Sequence, residues 1–118
     1  MIETMQRLFD ALKDVRYVAI YRNGQLDTAV RPELQDASSS DSDKYEEIIV
    51  NPTLLKLVQQ RGNIDCGGVQ YVLVRYGNFF QFVQAIPDGH ISIALEAESN
   101  LDQVIPELRQ LLRKSEGV

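Results

Sequence analysis

Apolar residues recur at Met5, Leu8, Phe9 and Leu12, with Glu3, Arg7, Asp10 and Lys13 on the remaining faces. That spacing predicts an amphipathic helix at the start of the chain. Val15 to Tyr21 breaks the rhythm: it is β-branched and aromatic, with apolar residues on both alternating sets, and it predicts an interior strand. Asn23-Gly24 supplies a two-residue turn tolerant of positive φ. Leu26, Thr28 and Val30 then alternate with polar neighbours until Pro32 ends the run, so the two strands form a hairpin.

Between Glu33 and Asp43 lies Ser38-Ser39-Ser40-Asp41-Ser42-Asp43, whose side chains compete with the backbone for hydrogen bonds. We read residues 33–43 as an exposed, solvated connector without a kinase motif. From Lys44 the pattern is helical again. Tyr45, Ile48, Ile49, Leu55 and Val58 lie on one side, and Glu46, Glu47, Lys56, Gln59 and Arg61 largely on the other. Pro52 either kinks one helix or opens a second one capped by Asn51, and Gly62 closes the element in both cases.

Three strand-like runs follow, Val69 to Tyr76, Asn78 to Ile86 and His90 to Glu96, joined by Gly77-Asn78 and Pro87-Asp88-Gly89. These are tight-turn chemistries and predict an antiparallel meander, with the bulky middle run buried on both faces. Leu101, Val104, Ile105, Leu108, Leu111 and Leu112 repeat at helical spacing up to Lys114. Ser99 or Asn100 stands as N-cap and Pro106 as the site of a local kink. The order is α-β-β-α-β-β-β-α, an α+β fold. A five-stranded antiparallel sheet with apolar residues on both faces needs helices on both, giving a three-layer sandwich. Val69 to Tyr76, free of proline, would expose an unpaired edge.

Composition narrows the function. A chain of 118 residues, 44% hydrophobic, has the size for one domain spanning 1–118. A net charge of -5 argues against a phosphate-neutralising surface, so no nucleic-acid partner is expected. Arg109, Arg113 and Lys114 are read as cations suited to a helix C-terminus. The single Cys66 forms no internal disulfide, and no run is long and apolar enough to span a bilayer, so a cytoplasmic chain without membrane insertion is expected.

Catalytic chemistry is sparse. His90 follows a Pro-Asp-Gly turn without a partner in sequence and is expected exposed at the start of a strand. Cys66 has Asp65 beside it, which disfavours the thiolate, and no second cysteine at a redox spacing. Gly67-Gly68 lacks the rest of a phosphate-cradling loop. The close carboxylates Glu46 and Glu47, and Glu96 and Glu98, read as solvated surface. No catalytic residue, metal or cofactor is assigned. Arg16, Arg22, Arg31, Arg61 and Arg75 are scattered, and none is singled out as reaching a partner's nucleotide.

The topology, carried by residues 44–49, 54–58, 69–75 and 90–96 and by the Tyr76-Gly77-Asn78 turn, resembles the roadblock/dynein light chain family over nearly the whole chain. The serine-rich insertion, Pro52 and Pro106 depart from its pattern. The resemblance implies a homodimer or heterodimer in which third strands pair and central helices pack together, serving as a regulator or scaffold of small Ras-like GTPases. By that analogy Tyr45, Ile48, Ile49, Leu55, Val58, Val69, Tyr71 and Leu73 are interface candidates, although the same residues could fill a monomer core. A rival expectation is a sensory, profilin-like or PAS-like domain in which Tyr71, Tyr76, Phe79, Phe80 and Phe82 line a small-molecule pocket.

Overall fold

The computed structural model describes residues 2–31 and 40–115. Helix α1 (Ile2–Ala11) leads into β1 (Val15–Arg22) and β2 (Gln25–Val30). A helical rod over 40–65 consists of α2 (Ser40–Tyr45), a π-helical segment (Glu46–Val50) and α3 (Asn51–Asp65). Then come β3 (Val72–Arg75), β4 (Phe79–Ile86), β5 (Gly89–Glu96) and α4 (Leu101–Lys114). The five strands form one antiparallel sheet in the order β2-β1-β5-β4-β3. The expected α+β sandwich, hairpin and meander are all present.

Partners across the ladders share a face, so the register sorts the side chains. Val18 and Ile20 of β1 oppose Ile93 and Ile91 of β5, and Ile93 also opposes Phe82 of β4. This face packs against Met5, Leu8 and Leu12 from the α1 region and Val104, Ile105, Leu108 and Leu112 of α4 in one buried apolar cluster. Arg31, just after β2, donates to the carbonyls of Phe9 (3.0 Å), Leu12 (2.7 Å) and Val15 (2.5 Å), satisfying groups that the end of α1 leaves open. The other face, formed by Tyr17, Ala19 and Tyr21 of β1, His90, Ser92 and Ala94 of β5, and Gln81 and Val83 of β4, lies under the 40–65 rod.

Several boundaries differ from expectation. Strand β3 is four residues long rather than running from Val69 to Tyr76, because the chain spends the preceding residues returning from helix to sheet. Gly67 and Gly68 have φ of +79° and +85°, and Gly68 N–H bonds to Gly62 O at 3.0 Å. The crossing is tight: a Cβ on Gly62 would lie 2.9 Å from Val69 Cγ2. The middle run of the meander, β4, is buried on both faces only at Gln81, Phe82 and Val83, with Phe79 and Phe80 half-buried and Ala85 exposed, and the centre of the sheet is β5 because β1 docks on it. Asn23 and Gly24 both adopt positive φ in the β1–β2 turn, as that turn requires.

Residues 40–43, expected in the connector, begin the helical rod, while 33–39 lie outside the described residues. Helix α4 runs through Pro106 as one element, and Asn100 caps it by accepting from Gln103 and Val104 through its main-chain carbonyl, with no side-chain cap bond. Pro52 neither ends nor splits the rod. Its missing N–H and its ring against the turn before it are accommodated by the π-helical segment, where Asn51 N–H reaches back five residues to Glu46 O. Thr53 Oγ1 donates to Ile49 O at 2.6 Å, occupying a carbonyl in the same disturbed turn.

Candidate interaction surface and the buried polar seam beneath it

The rod presents two unlike sides. Toward the sheet it turns Glu47, Asn51, Leu55 and Gly62, all buried. Away from it stand large apolar side chains: Tyr45 is 62% exposed, Ile49 50%, Leu57 60% and Ile64 75%, with Ile48 beside them. Single exposed apolar side chains are common on folded proteins, but several large ones on one side of a helix form a contiguous apolar patch. Strand β3 is a sheet edge with one ladder partner, and among the described residues no strand lies along its outer backbone groups.

The expected interface residues therefore divide by place. Tyr45, Ile48 and Ile49 are on the outward side of the rod, and Val58 and Val69 are half-buried. Leu55 is buried toward the sheet. Tyr71 and Leu73 pack against the α1/α4 core, Tyr71 stacked on Phe82 at 5.2 Å between ring centroids with the Arg109 guanidinium over the Tyr71 ring at 5.1 Å. Leu57 and Ile64, both strongly exposed, were not singled out by the sequence reading, although their seven-residue spacing on a helix places them on one line.

Between rod and sheet sits a polar cluster that contradicts two sequence expectations. His90, expected exposed, is buried, and so is Glu47, expected on a solvated face. The reason is tertiary: the rod covers the strand face on which His90 and Ser92 alternate, and Glu47 falls on the same inward side of the rod as Asn51 and Leu55. Glu47 Oε1 lies 2.8 Å from His90 Nε2 and accepts from Asn51 Nδ2 at 2.9 Å. Its Oε2 accepts from Ser92 Oγ at 2.6 Å and from Tyr17 OH at 3.1 Å. Ser92 Oγ in turn accepts from Gln81 Nε2 at 2.6 Å.

A carboxylate has about four acceptor sites, and Glu47 makes four polar contacts, three from donors fixed by their chemistry and one to His90 Nε2. Such a buried carboxylate is tolerable because its hydrogen bonds replace water. The Tyr17 phenol is pushed far above its ordinary range by burial first and then by the Glu47 charge, which keeps it a donor. Glu46, next in the chain, is also raised, by burial, then by Glu47 and Asp43, and is opposed by a hydrogen bond from Tyr76.

Serine, histidine and carboxylate are thus neighbours without forming a nucleophile. Ser92 gives its proton to Glu47, the histidine nitrogen faces the same carboxylate, and all three side chains are buried. A cavity of about 150 Å³ opens beside the seam, lined by Arg16, Tyr17, Glu46, Phe79 and Gln81 among others. Of the aromatic residues expected to line a ligand pocket, Phe79 does so, whereas Phe82 is fully buried in the core with Tyr71 and Phe80 packed against it. Tyr76 is exposed and tilted against Phe79.

The arginines left open by the sequence are largely committed. Arg16 pairs with Glu96 at 3.0 Å, Arg61 with Asp65 at 2.5 Å, Arg31 holds the end of α1, and Arg75 lies 4.7 Å over the Phe80 ring. Cys66 is exposed, with its thiol 3.4 Å from Asp65 Oδ1. Among the described residues no cluster of three or more His, Cys, Asp or Glu could hold a metal ion, and no helix is long and apolar enough to cross a membrane.

A solved Roadblock/LC7 domain from Streptomyces avermitilis superposes on this chain with a TM-score of 0.72, covering 96% of this chain and 92% of that one at 15% identity. The fold is that of a Roadblock/LC7 domain. Identity at this level carries the Roadblock/LC7 architecture and not the residues of a site. No family model and no curated protein matches the sequence.

Proposed function

We propose that this chain is a non-catalytic interaction module that pairs with a second copy of itself through the outward side of the 40–65 rod and the β3 edge, and that the pair serves as a platform for a small Ras-like GTPase. One observation carries the pairing: Tyr45, Ile48, Ile49, Leu57 and Ile64 stand exposed along the rod of a domain whose β3 edge has no outer strand among the described residues. Joining two copies would cover the apolar stripe and continue the sheet, removing two liabilities together. The GTPase assignment rests on the resemblance to roadblock-type regulators, which the Roadblock/LC7 fold supports at the level of architecture.

Light scattering over a concentration series tests the pairing. An interface of standard size, about 800 Å² per partner, keeps a dimer at micromolar concentration. Ile49→Asp combined with Leu57→Asp should then give a folded monomer, and a wild-type chain that is monomeric throughout would refute the pairing. Titration against purified Ras-like GTPases in both nucleotide states tests the platform role, with altered hydrolysis or exchange separating regulation from tethering. The small-molecule reading finds less support, since Tyr71, Phe80 and Phe82 belong to a filled core.

A further inference from the structure

Pro52 explains why the rod is disturbed near residue 48 but not how the disturbance is resolved. A proline can be met by a kink, by a break or by a π-helical turn. Here the turn is chosen, and it lies over the buried carboxylate: Glu47 falls inside the segment Glu46–Val50, and Asn51, whose N–H makes the five-residue bond to Glu46 O, also donates its side-chain amide to Glu47 Oε1. Three further side chains hold the same carboxylate from two strands: Tyr17 on β1, and Ser92 and His90 on β5.

We infer that Glu47 is a positioning residue: its hydrogen bonds to β1 and β5 hold the rod in the π-helical turn, and the turn sets where Tyr45, Ile48 and Ile49 stand relative to Leu57 and Ile64. A π-helical turn takes up one additional residue, and each residue of an α-helix occupies about 100° of rotation. Relaxing the turn to regular α-helix would swing the residues before it by about 100° relative to those after it. Glu47 and the outward residues are fixed to the same short segment, so they move together. Losing the carboxylate would take Tyr45, which precedes the turn, out of line with Leu57 and Ile64, and would rotate Ile48 and Ile49, which lie within it, by part of that angle.

The functional consequence rests on the proposed pairing, but the conformational claim does not, and the test separates them. In isotope-labelled protein the through-bond coupling across the Asn51 N–H···O=C Glu46 bond reports the π-helical turn directly. Wild type should show it. Glu47→Leu, which fills the space without accepting a hydrogen bond, should lose it, whereas Glu47→Gln should retain it, because Ser92 and Tyr17 hydroxyls can reverse and accept from the new amide. A role in filling space alone would leave the coupling in both variants, since glutamine matches glutamate in shape and leucine is close to it in size.

Should Glu47→Leu fail to fold, Tyr17→Phe with Ser92→Ala removes two donors at little change in volume, and the Asn51 amide should then exchange with solvent about tenfold faster or more. Retention of the coupling in Glu47→Leu, or unchanged Asn51 exchange in the double variant, would overturn the inference. Solution mass of the same samples reads the consequence: association should weaken in step with loss of the coupling. A monomeric wild type that still shows the coupling and its loss in Glu47→Leu would refute the pairing while supporting the role of Glu47.

Discussion

The two faces of the sheet are built from the same strands by opposite chemistry. Against α1 and α4 lie Val18, Ile20, Phe82, Ile91 and Ile93, a dry apolar layer. Against the 40–65 rod lie Tyr17, Ala19, Gln81, His90 and Ser92, small or polar and organised around one carboxylate. The apolar face tolerates small shifts among hydrocarbon neighbours with a graded loss, while a hydrogen-bonded seam has one satisfied arrangement and penalises the others. The layer that needs only to hold the domain together is apolar. The layer carrying the outward helix is the one whose chemistry fixes position.

The comparison is broken most strongly at the centre of the apolar face. Phe82→Ala should remove about 3–5 kcal/mol from the unfolding free energy, by urea denaturation, because Phe82 is fully buried among Ile93, Tyr71 and Leu73 and the cavity cannot fill. Its effect should be on global stability, with the polar seam intact wherever the chain is folded. A loss under about 1 kcal/mol would show that this face is not the tightly packed layer described.

On the polar face, Glu47→Ala should cost about 3 kcal/mol, since it strands polar groups of Tyr17, Asn51, Ser92 and His90 in a buried site. Glu47→Gln should recover part of that loss. If alanine and glutamine were equally destabilising, the ionised carboxylate rather than its hydrogen bonds would be the stabilising element, and the account of the seam would need revision.

The outward side of the rod should behave unlike either face. Ile49→Asp and Leu57→Asp should each change monomer stability by no more than about 0.5 kcal/mol, because both side chains are already solvated within the chain. Their effect belongs to association, read as solution mass. A large loss of stability at low protein concentration, where any dimer has dissociated, would mean that these residues pack within the domain.

What could be read from the sequence follows the same division. The apolar face was legible because alternation in β5 and the spacing of Leu8, Val104 and Leu108 report burial directly. The seam was not. His90, Ser92 and Ala94 do alternate with Ile91, Ile93 and Leu95, but polar residues on a strand look solvated until a helix is known to cover them. Glu47 shares the four-residue spacing of Asn51 and Leu55, but a carboxylate at that position looks solvated until a sheet is known to lie beneath the helix. The order of the strands was legible as a hairpin and a meander. Which strand joins them depends on a long-range pairing, β1 with β5, that no local pattern records.

The smallest effect lies at the margin of the seam, where Glu46 is half-buried beside Glu47 and Asp43. Burial, and then the two neighbouring charges, raise its carboxyl above the ordinary value of 4.5, so the folded chain holds this proton to higher pH than the unfolded chain does. For a raised acid the sign is unfavourable: ionisation costs the folded state nothing below the ordinary value, begins to cost as pH rises through it, and costs the full amount above the folded value. Glu46→Gln removes that cost and keeps an oxygen for the Tyr76 hydroxyl. The variant should melt higher than wild type at pH 7, by a small margin because Glu46 retains access to water, and the two curves should converge on acidification below the ordinary carboxylate range. A variant less stable than wild type at pH 7 would mean that the Tyr76 contact outweighs the repulsion, and would move Glu46 from the edge of the seam to part of what holds the rod down.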